Sequence, residues 1–406
     1  MTQYRIHRLG HHGDGIADGP IFAPLTLPGE EVTGEADGSR LHDVKIVTPS
    51  DDRVKPPCPH FRSCGGCQLQ HASDDFVAGW KVDVVRQALQ AQGLEADFRP
   101  ILTSPPFSRR RAAFSARRTK KGVQVGFHGR ASGVIVPIET CHLLHPDLLA
   151  ARDVVAEFAM MGGSRKGEIT ALVTLSLDGL DLSVTGGKPL DGPLESSLAQ
   201  LAGQRGVSRL AWDGEVIALR TPPRQVFGAA HVAPPPGAFL QATRQGESAL
   251  LYAVTEAVGD AKQVVDLFAG CGTFALPLAE RAEVHAVEGE AAMMQALDLG
   301  WRNAKGLKKV THETRDLFRR PLLPDELKRF DAAVIDPPRA GAQAQVTELA
   351  EARVPVIAFV SCNPVTFARD AAILTQAGYA MDWVQVVDQF RWSVHIELAA
   401  RFSLAR

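Results

Sequence analysis

The sequence contains no apolar run of about 18 residues or more, which excludes a membrane-spanning helix. Its start, Met1-Thr2-Gln3-Tyr4-Arg5, lacks the charged-then-apolar order of a secretory signal, so a cytoplasmic location is expected. Cysteine is scarce, at 6 of 406 residues, too few and too unevenly placed for a disulfide framework. Net charge is also nearly absent, at −2, so no global field draws in a polyanion. Neither an internal repeat nor a low-complexity tail is present. The composition, 45% hydrophobic and 22% charged, is that of a globular protein. The length predicts about two or three domains, each able to bury a core.

Two local departures stand against this average. Cys58, Cys64 and Cys67 crowd together, with Gly65-Gly66 between the last two. In a chain without an export signal that spacing reads as a metal or cluster site. Zinc and iron–sulfur both accept thiolate-only sets, and spacing alone does not choose between them. From Phe98 to Ile138 no acidic residue occurs, while Arg99, Arg109, Arg110, Arg111, Arg117, Arg118, Lys120, Lys121 and Arg130 do. Phe98, Phe107, Phe114 and Phe127 are interleaved with them. Cations that neutralise phosphates and rings that stack on bases make this stretch a candidate RNA-contact surface. The alternative is a solvated strand face with core aromatics between.

Residues 1–50 are short apolar alternations broken by Gly13-Asp14-Gly15, Leu27-Pro28-Gly29-Glu30 and Asp37-Gly38, which predicts a small all-β unit. Helical spacing is expected over 74–93 and 146–160, and strands over 122–127 and 168–173. Pro234-Pro235-Pro236-Gly237 marks a boundary, so the expected domains are 1–50, 51–233 and 234–406. After it, helices are expected over 243–258, 274–281, 290–304 and 342–351. Strands are expected at Val264–Phe268, Glu283–Glu288, 309–312, Asp331–Asp336 and Val356–Val360. This alternation predicts a Rossmann-like, doubly wound α/β catalytic domain behind a mixed α+β central domain.

The first strand of that domain runs into Asp266-Leu267-Phe268-Ala269-Gly270-Cys271-Gly272-Thr273. Glycines there let the backbone turn tightly against a ligand at the carboxyl edge of the sheet. Glu288 ends the next strand, where a carboxylate can accept from ribose hydroxyls. Gly270-Cys271-Gly272-Thr273-Phe274-Ala275 also fits a dinucleotide fingerprint, so a nicotinamide or flavin competes at this point. Downstream, Asp336-Pro337-Pro338-Arg339 and Ser361-Cys362-Asn363-Pro364 end two further strands. A thiol beside an Asp-Pro-Pro turn has no evident use in hydride transfer. It suits methyl transfer from S-adenosylmethionine to a base.

On these motifs the chain resembles the RNA uracil carbon-5 methyltransferases, in the branch that carries an iron–sulfur cluster and modifies 23S ribosomal RNA. The resemblance spans nearly the whole chain. It implies that residues 1–50, with Gly13-Asp14-Gly15-Ile16-Ala17, form a shortened TRAM domain, an OB-like barrel. It implies a 4Fe–4S cluster on Cys58, Cys64, Cys67 and Cys141, with a structural role. It implies methyl-donor contacts at Gln241 (in Phe239-Leu240-Gln241), Phe268, Thr273, Glu288, Asp316 and Asp336. It further implies Cys362 as nucleophile and Glu397 (in His395-Ile396-Glu397) as proton-abstracting base. Where the family usually has Met-Phe-Pro, this chain has Gln389-Phe390-Arg391-Trp392.

The chemistry requires such groups. Addition of a thiolate at carbon 6 of uracil makes carbon 5 a carbanion equivalent, which is covalent catalysis. A free thiol near a pKa of about 8.5 is mostly protonated at neutral pH, so Arg339 is expected to lower that of Cys362. The carbon-5 proton must then leave, which needs a base. The target base must be flipped or unpaired. An RNA partner, a 23S target and a monomeric enzyme are expected. Transfer RNA as target, an adenine or guanine amine methyltransferase, a cytosine carbon-5 enzyme and a non-catalytic RNA-binding protein are the alternatives. Cys271 reads as packing, and Arg391 and Trp392 carry no assignment.

Overall fold

The computed structural model describes residues 2–404. Thr2–Leu9 (β1), Gly15–Ala17 (β2), Ile21–Ala23 (β3), Glu31–Asp37 (β4) and Arg40–Thr48 (β5) close into a barrel of order β1-β2-β3-β5-β4. Alternate residues Ile6, Ala17, Ala23, Val32 and Leu41 point inward and fill it. The barrel closes within the segment, and β2 and β3 are its shortest strands at three residues each. Glu30, fully buried, accepts from the Leu27 amide at 2.8 Å within the barrel and ties it to the next segment through Arg53.

A second sheet holds Arg111–Thr119 (β7), Gly122–His128 (β8), Ile135–Pro137 (β9), Ile169–Ser176 (β10), Gly179–Thr185 (β11), Arg209–Trp212 (β12) and Glu215–Leu219 (β13). Its order is β13-β12-β11-β10-β7-β8-β9. Helices Pro146–Gly162 (α2) and Gly192–Gln204 (α3) cover one face, with Phe114, Phe158 and Trp212 in the core. A small hairpin, Gln225–Phe227 (β14) with Ala230–Val232 (β15), leads onward.

The third sheet positions the site. Its strands are Leu102–Thr103 (β6), Gln263–Leu267 (β16), Glu283–Glu288 (β17), Val310–Thr314 (β18), Ala332–Ile335 (β19), Val356–Ser361 (β20), Tyr379–Asp388 (β21) and Glu397–Leu404 (β22). The order is β18-β17-β16-β19-β20-β22-β21-β6. The chain fills one side of β16 and then returns to the other, so a crevice opens between the carboxyl ends of β16 and β19. Both faces are buried. Val264 and Val334 face a core with Arg244–Val258 (α4), Ala275–Leu278 (α5) and Ala291–Asn303 (α6). Val265 and Ile335 face the opposite core with Asp74–Gln90 (α1), Pro324–Leu327 (α7), Gln343–Ala352 (α8) and Pro364–Gln376 (α9).

Three features depart from the sequence pattern. The helix expected over 274–281 is one turn, Ala275–Leu278, and continues as i→i+3 bonds from Glu280 to Pro277 and from Arg281 to Leu278. Beyond Pro364 the pattern alone assigns no element, yet α9, β21 and β22 complete the sheet. Finally, α1 and β6 lie at 74–103, in the stretch expected to form the central domain, but pack with the catalytic sheet. Val85 and Leu89 join its core, and β6 pairs with β21 at Val387↔Leu102. Helix α1 starts where Ser73 accepts from the Phe76 amide, with Asp74 and Asp75 in its first turn.

Candidate active site

The turn after β16 is built for close approach. Phe268 adopts φ 62°, a left-handed conformation uncommon outside glycine, and its ring lies 5.4 Å from that of Phe318. Gly272 has φ 92°, and a Cβ there would come within 2.8 Å of Leu276. Glu288, at the end of β17, accepts from the amides of Gly270 at 3.1 Å and Gly289 at 2.7 Å, which fixes its carboxylate beside the turn. Thr273 is half-buried in the same turn. Asp316 follows β18, is exposed, and accepts from the Phe318 amide at 3.0 Å. It therefore orders the loop that carries Phe318 to Phe268. Asp266 is fully buried, and burial, then Asp336, push its carboxyl well up against a hydrogen bond from the Ala275 amide.

Asp336, Cys362 and Glu397 meet at the same edge for a topological reason. Strands β19 and β20 are parallel and pair Ile335 with Phe359, so both end there. Strand β22 runs antiparallel to β20, pairing Ser361 with Leu398, so its amino end reaches the edge where β20 finishes. The next residues along each strand, Cys362 and Glu397, thus face each other across the ladder. Helix α9 begins directly after Cys362, capped by Asn363, whose side chain accepts from the Val365 amide and donates to the Arg339 carbonyl at 2.9 Å.

The electrostatics correct one expectation. Arg339 does favour the Cys362 thiolate, but burial and the carboxylates of Glu397 and Asp336 outweigh it, and the thiol is pushed up to about 11. Loss of water pushes the Asp336 carboxyl up to about 7. Burial, reinforced by Asp336 and opposed by a hydrogen bond from Gln389, takes Glu397 to about 8. The site in its resting form is a neutral thiol facing two reluctant carboxylates.

Gln241 is buried beside them. Its side-chain oxygen accepts from Gln389, whose Nε2 also donates to Glu397 Oε2 at 3.0 Å. Phe239, two residues earlier, is 61% exposed with Arg111 over its ring at 5.8 Å. Gln389, in the stretch that replaces the usual Met-Phe-Pro, takes a role only from this geometry. So does Lys81 of α1, whose ammonium bonds Asp388 at 2.6 Å and the carbonyls of Phe390 and His395. Arg391 and Trp392 are internal staples. Arg391 pairs with Asp74, Trp392 Nε1 donates to Asp74 at 3.0 Å, and the Trp392 carbonyl accepts from the amides of Gln68 and Leu69.

Cys58, Cys64, Cys67 and Cys141 line one cavity of about 320 Å³. Burial pushes the first three thiols up, Cys67 to about 12. Among the described residues, no three His, Cys, Asp or Glu side chains are gathered closely enough to hold a metal ion. Four thiols on one cavity are a donor set that both zinc and iron–sulfur clusters accept. A Cβ at Gly65 would come within 2.8 Å of the His128 carbonyl, so only glycine brings the loop this close to β8.

Most cations of the basic stretch are half-buried or exposed, and several are bonded within the molecule. Arg99 pairs with Glu256 and stacks on Trp383 at 3.8 Å, Arg110 pairs with Glu247, and Arg117 pairs with Glu168. Arg111 donates to Gly237, and Arg130 to Phe61 and Cys67. Phe114 is fully buried and stacks on Phe127 at 5.4 Å. Lys120 and Lys121, at the β7–β8 turn, Arg117 and Phe107, 47% exposed, are at the surface.

Fold and site together define a doubly wound α/β enzyme that sets a thiol against two carboxylates beside a glycine-turn crevice. The family model for tRNA (uracil-5-)-methyltransferase matches residues 233–403. An RNA methyltransferase of Rhizobium meliloti is 46% identical, covering 97% of both chains. The 23S rRNA (uracil(1939)-C(5))-methyltransferase RlmD of Shewanella sp. is 32% identical, covering 99% of this chain and 96% of its own. Among solved structures, the Pyrococcus abyssi tRNA (uracil-54, C5)-methyltransferase in complex with S-adenosyl-L-homocysteine matches at a TM-score of 0.75 and 23% identity, covering 98% of this chain and 99% of its own. That match shows a shared fold. The chain belongs to the RNA uracil-5-methyltransferase family and is an enzyme.

Proposed function

We propose that this enzyme methylates carbon 5 of a specific uridine in 23S ribosomal RNA, with S-adenosylmethionine as donor. The observation that carries this reading is the meeting of Cys362, Asp336 and Glu397 at one sheet edge beside the glycine-turn crevice. The Shewanella relative supports ribosomal RNA as the target. Gln241, Phe268, Thr273, Glu288, Asp316 and Asp336 would hold the donor. The strained Phe268 and the turn at Gly272 fit close approach of a ligand there.

Cys362 Sγ adds to carbon 6 of the flipped uracil, and its proton passes to the Asp336 carboxylate beside it. The ring becomes an enolate with charge on carbon 5. Carbon 5 takes the methyl group from the donor's sulfonium, releasing S-adenosylhomocysteine. Glu397 then removes the carbon-5 proton, the 5,6 double bond re-forms, and the Cys362 thiolate departs. Cys58, Cys64, Cys67 and Cys141 would hold a 4Fe–4S cluster. Bound there, it would tie the 58–67 loop to Cys141 and supply no chemistry to the uracil. We place its action in the cytoplasm, with its RNA substrate.

The test is Glu397→Gln with 23S RNA as substrate. The variant is expected to attack and methylate but not release, with turnover down about 10²–10⁴-fold. A methylated protein–RNA adduct that survives denaturation should accumulate, and adding Cys362→Ala should abolish it. Normal turnover, or lost activity without adduct, overturns the assignment of the base. Mapping 5-methyluridine in cells with and without the gene tests the target; a change in transfer RNA alone overturns the ribosomal assignment.

A further inference from the structure

Gln389 occupies the centre of the site, 2% exposed, and each polar atom of its side chain has a partner. Its Oε1 accepts from the Ala242 backbone amide at 2.7 Å. A backbone N–H can only donate, so the amide cannot be flipped and Nε2 must face the other way. There its two hydrogens serve Gln241 Oε1 and Glu397 Oε2, the latter at 3.0 Å. Glu397 Oε1 has no hydrogen-bond partner among the described residues, and neither has Gln241 Nε2. The space for Gln389 is also built. Gly246, in the first turn of α4, packs so close that a Cβ there would lie 2.5 Å from Gln389 Cβ.

We propose that Gln389 is a positioning residue for the proton-abstracting carboxylate: it holds Glu397 through Oε2, leaves Oε1 to take the carbon-5 proton, and ties that carboxylate to Gln241 in the donor pocket. The proposal rests on Glu397 being the base. A hydrogen bond donated to a carboxylate favours its ionised form, and a base must be ionised to act. Every other influence opposes ionisation. Asp336, at the end of β19, repels the charge, Cys362 after β20 offers no cation, and burial removes water. The nearby cations are engaged elsewhere: Arg339 faces Cys362, and Arg110, bonded to the Gln241 carbonyl, pairs with Glu247. Gln389 is thus the group that holds the base ready, and the bridge to Gln241 couples its position to donor binding.

The experiment compares Gln389→Met, which keeps length and removes the N–H groups, with Glu397→Gln and wild type. Steady-state kcat is measured against pH on 23S RNA, together with denaturation-resistant adduct. Loss of one hydrogen bond to a charged group predicts a fall in kcat of roughly 10- to 100-fold. The acid limb of the profile should move to higher pH, because Glu397 becomes harder to ionise. Methylated adduct should appear, at lower yield than in Glu397→Gln. Gly246→Ala, which pushes on Gln389 without touching Glu397, should move the profile the same way.

Unchanged kcat and profile in Gln389→Met, with adduct still trapped by Glu397→Gln, overturns the proposal and leaves the base in place. Lower activity with an unmoved profile and no adduct also overturns it, since a purely structural defect lowers rate equally at every pH. If Glu397→Gln traps no adduct, the assignment of the base fails, and the proposal fails with it.

Discussion

Replacing Lys81 by Met separates the loop's support from its chemistry. The Lys81 side chain is fully buried, as is nearly all of Asp388. Its three ammonium hydrogens reach Asp388 Oδ1 at 2.6 Å, the His395 carbonyl at 2.9 Å and the Phe390 carbonyl at 3.1 Å. Those three acceptors bracket the loop that carries Gln389 to Glu397. Burial pushes the Lys81 ammonium below its usual range, and Asp388 pulls the other way. Methionine fills the same channel but strands a buried carboxylate and two carbonyls. Removing one partner of such a pair costs about 3–5 kcal/mol. At roughly 2–4 °C per kcal/mol for a domain of this size, the melting temperature should fall by about 6–20 °C. The assay is thermal unfolding at pH 7, with kcat measured well below the transition. Adding Asp388→Asn should recover part of the loss, because no unpaired buried charge then remains. A Lys81→Met protein melting within about 2 °C of wild type, or a double variant no more stable than the single, refutes the argument.

Two further outcomes follow from the site. Anaerobically purified protein should be brown, with broad absorbance near roughly 400 nm, and Cys64→Ser should bleach it; stoichiometric zinc without iron, by elemental analysis, overturns the cluster. Glu397 is raised from 4.5 to about 8 in the fold, so its contribution to stability is full below pH 4.5 and is lost as pH rises through 8. Wild type should therefore lose up to about 1.4 kcal/mol per pH unit in that window from this group, while Glu397→Gln does not. A stability difference between the two that stays constant from pH 4.5 to 9 refutes the raised carboxyl.

The sequence by itself determined the architecture of the catalytic unit. Strands such as Ala332-Ala333-Val334-Ile335 are apolar throughout because both faces are covered, and their alternation with helices at 243–258 and 290–304 admits few folds besides a doubly wound sheet. Gly272 after such a strand, and Cys362 after another, mark the carboxyl edge by local pattern alone. Tertiary structure decided the rest. Glu397 becomes a partner of Cys362 only because β22 runs antiparallel to β20, a pairing with no local signature. Lys81 meets Asp388 across 307 residues of chain, and Gln389 gains its role from two acceptors and a donor supplied by α4's approach and by β22. The basic stretch shows the same division. Composition counts its charges, whereas the fold assigns Arg99, Arg110 and Arg117 to Glu256, Glu247 and Glu168. The four thiols likewise show their spacing in sequence but their enclosure only in space. Periodicity records which face of an element is buried. Which elements meet, and so which charges are matched, depends on contacts between residues far apart in the chain.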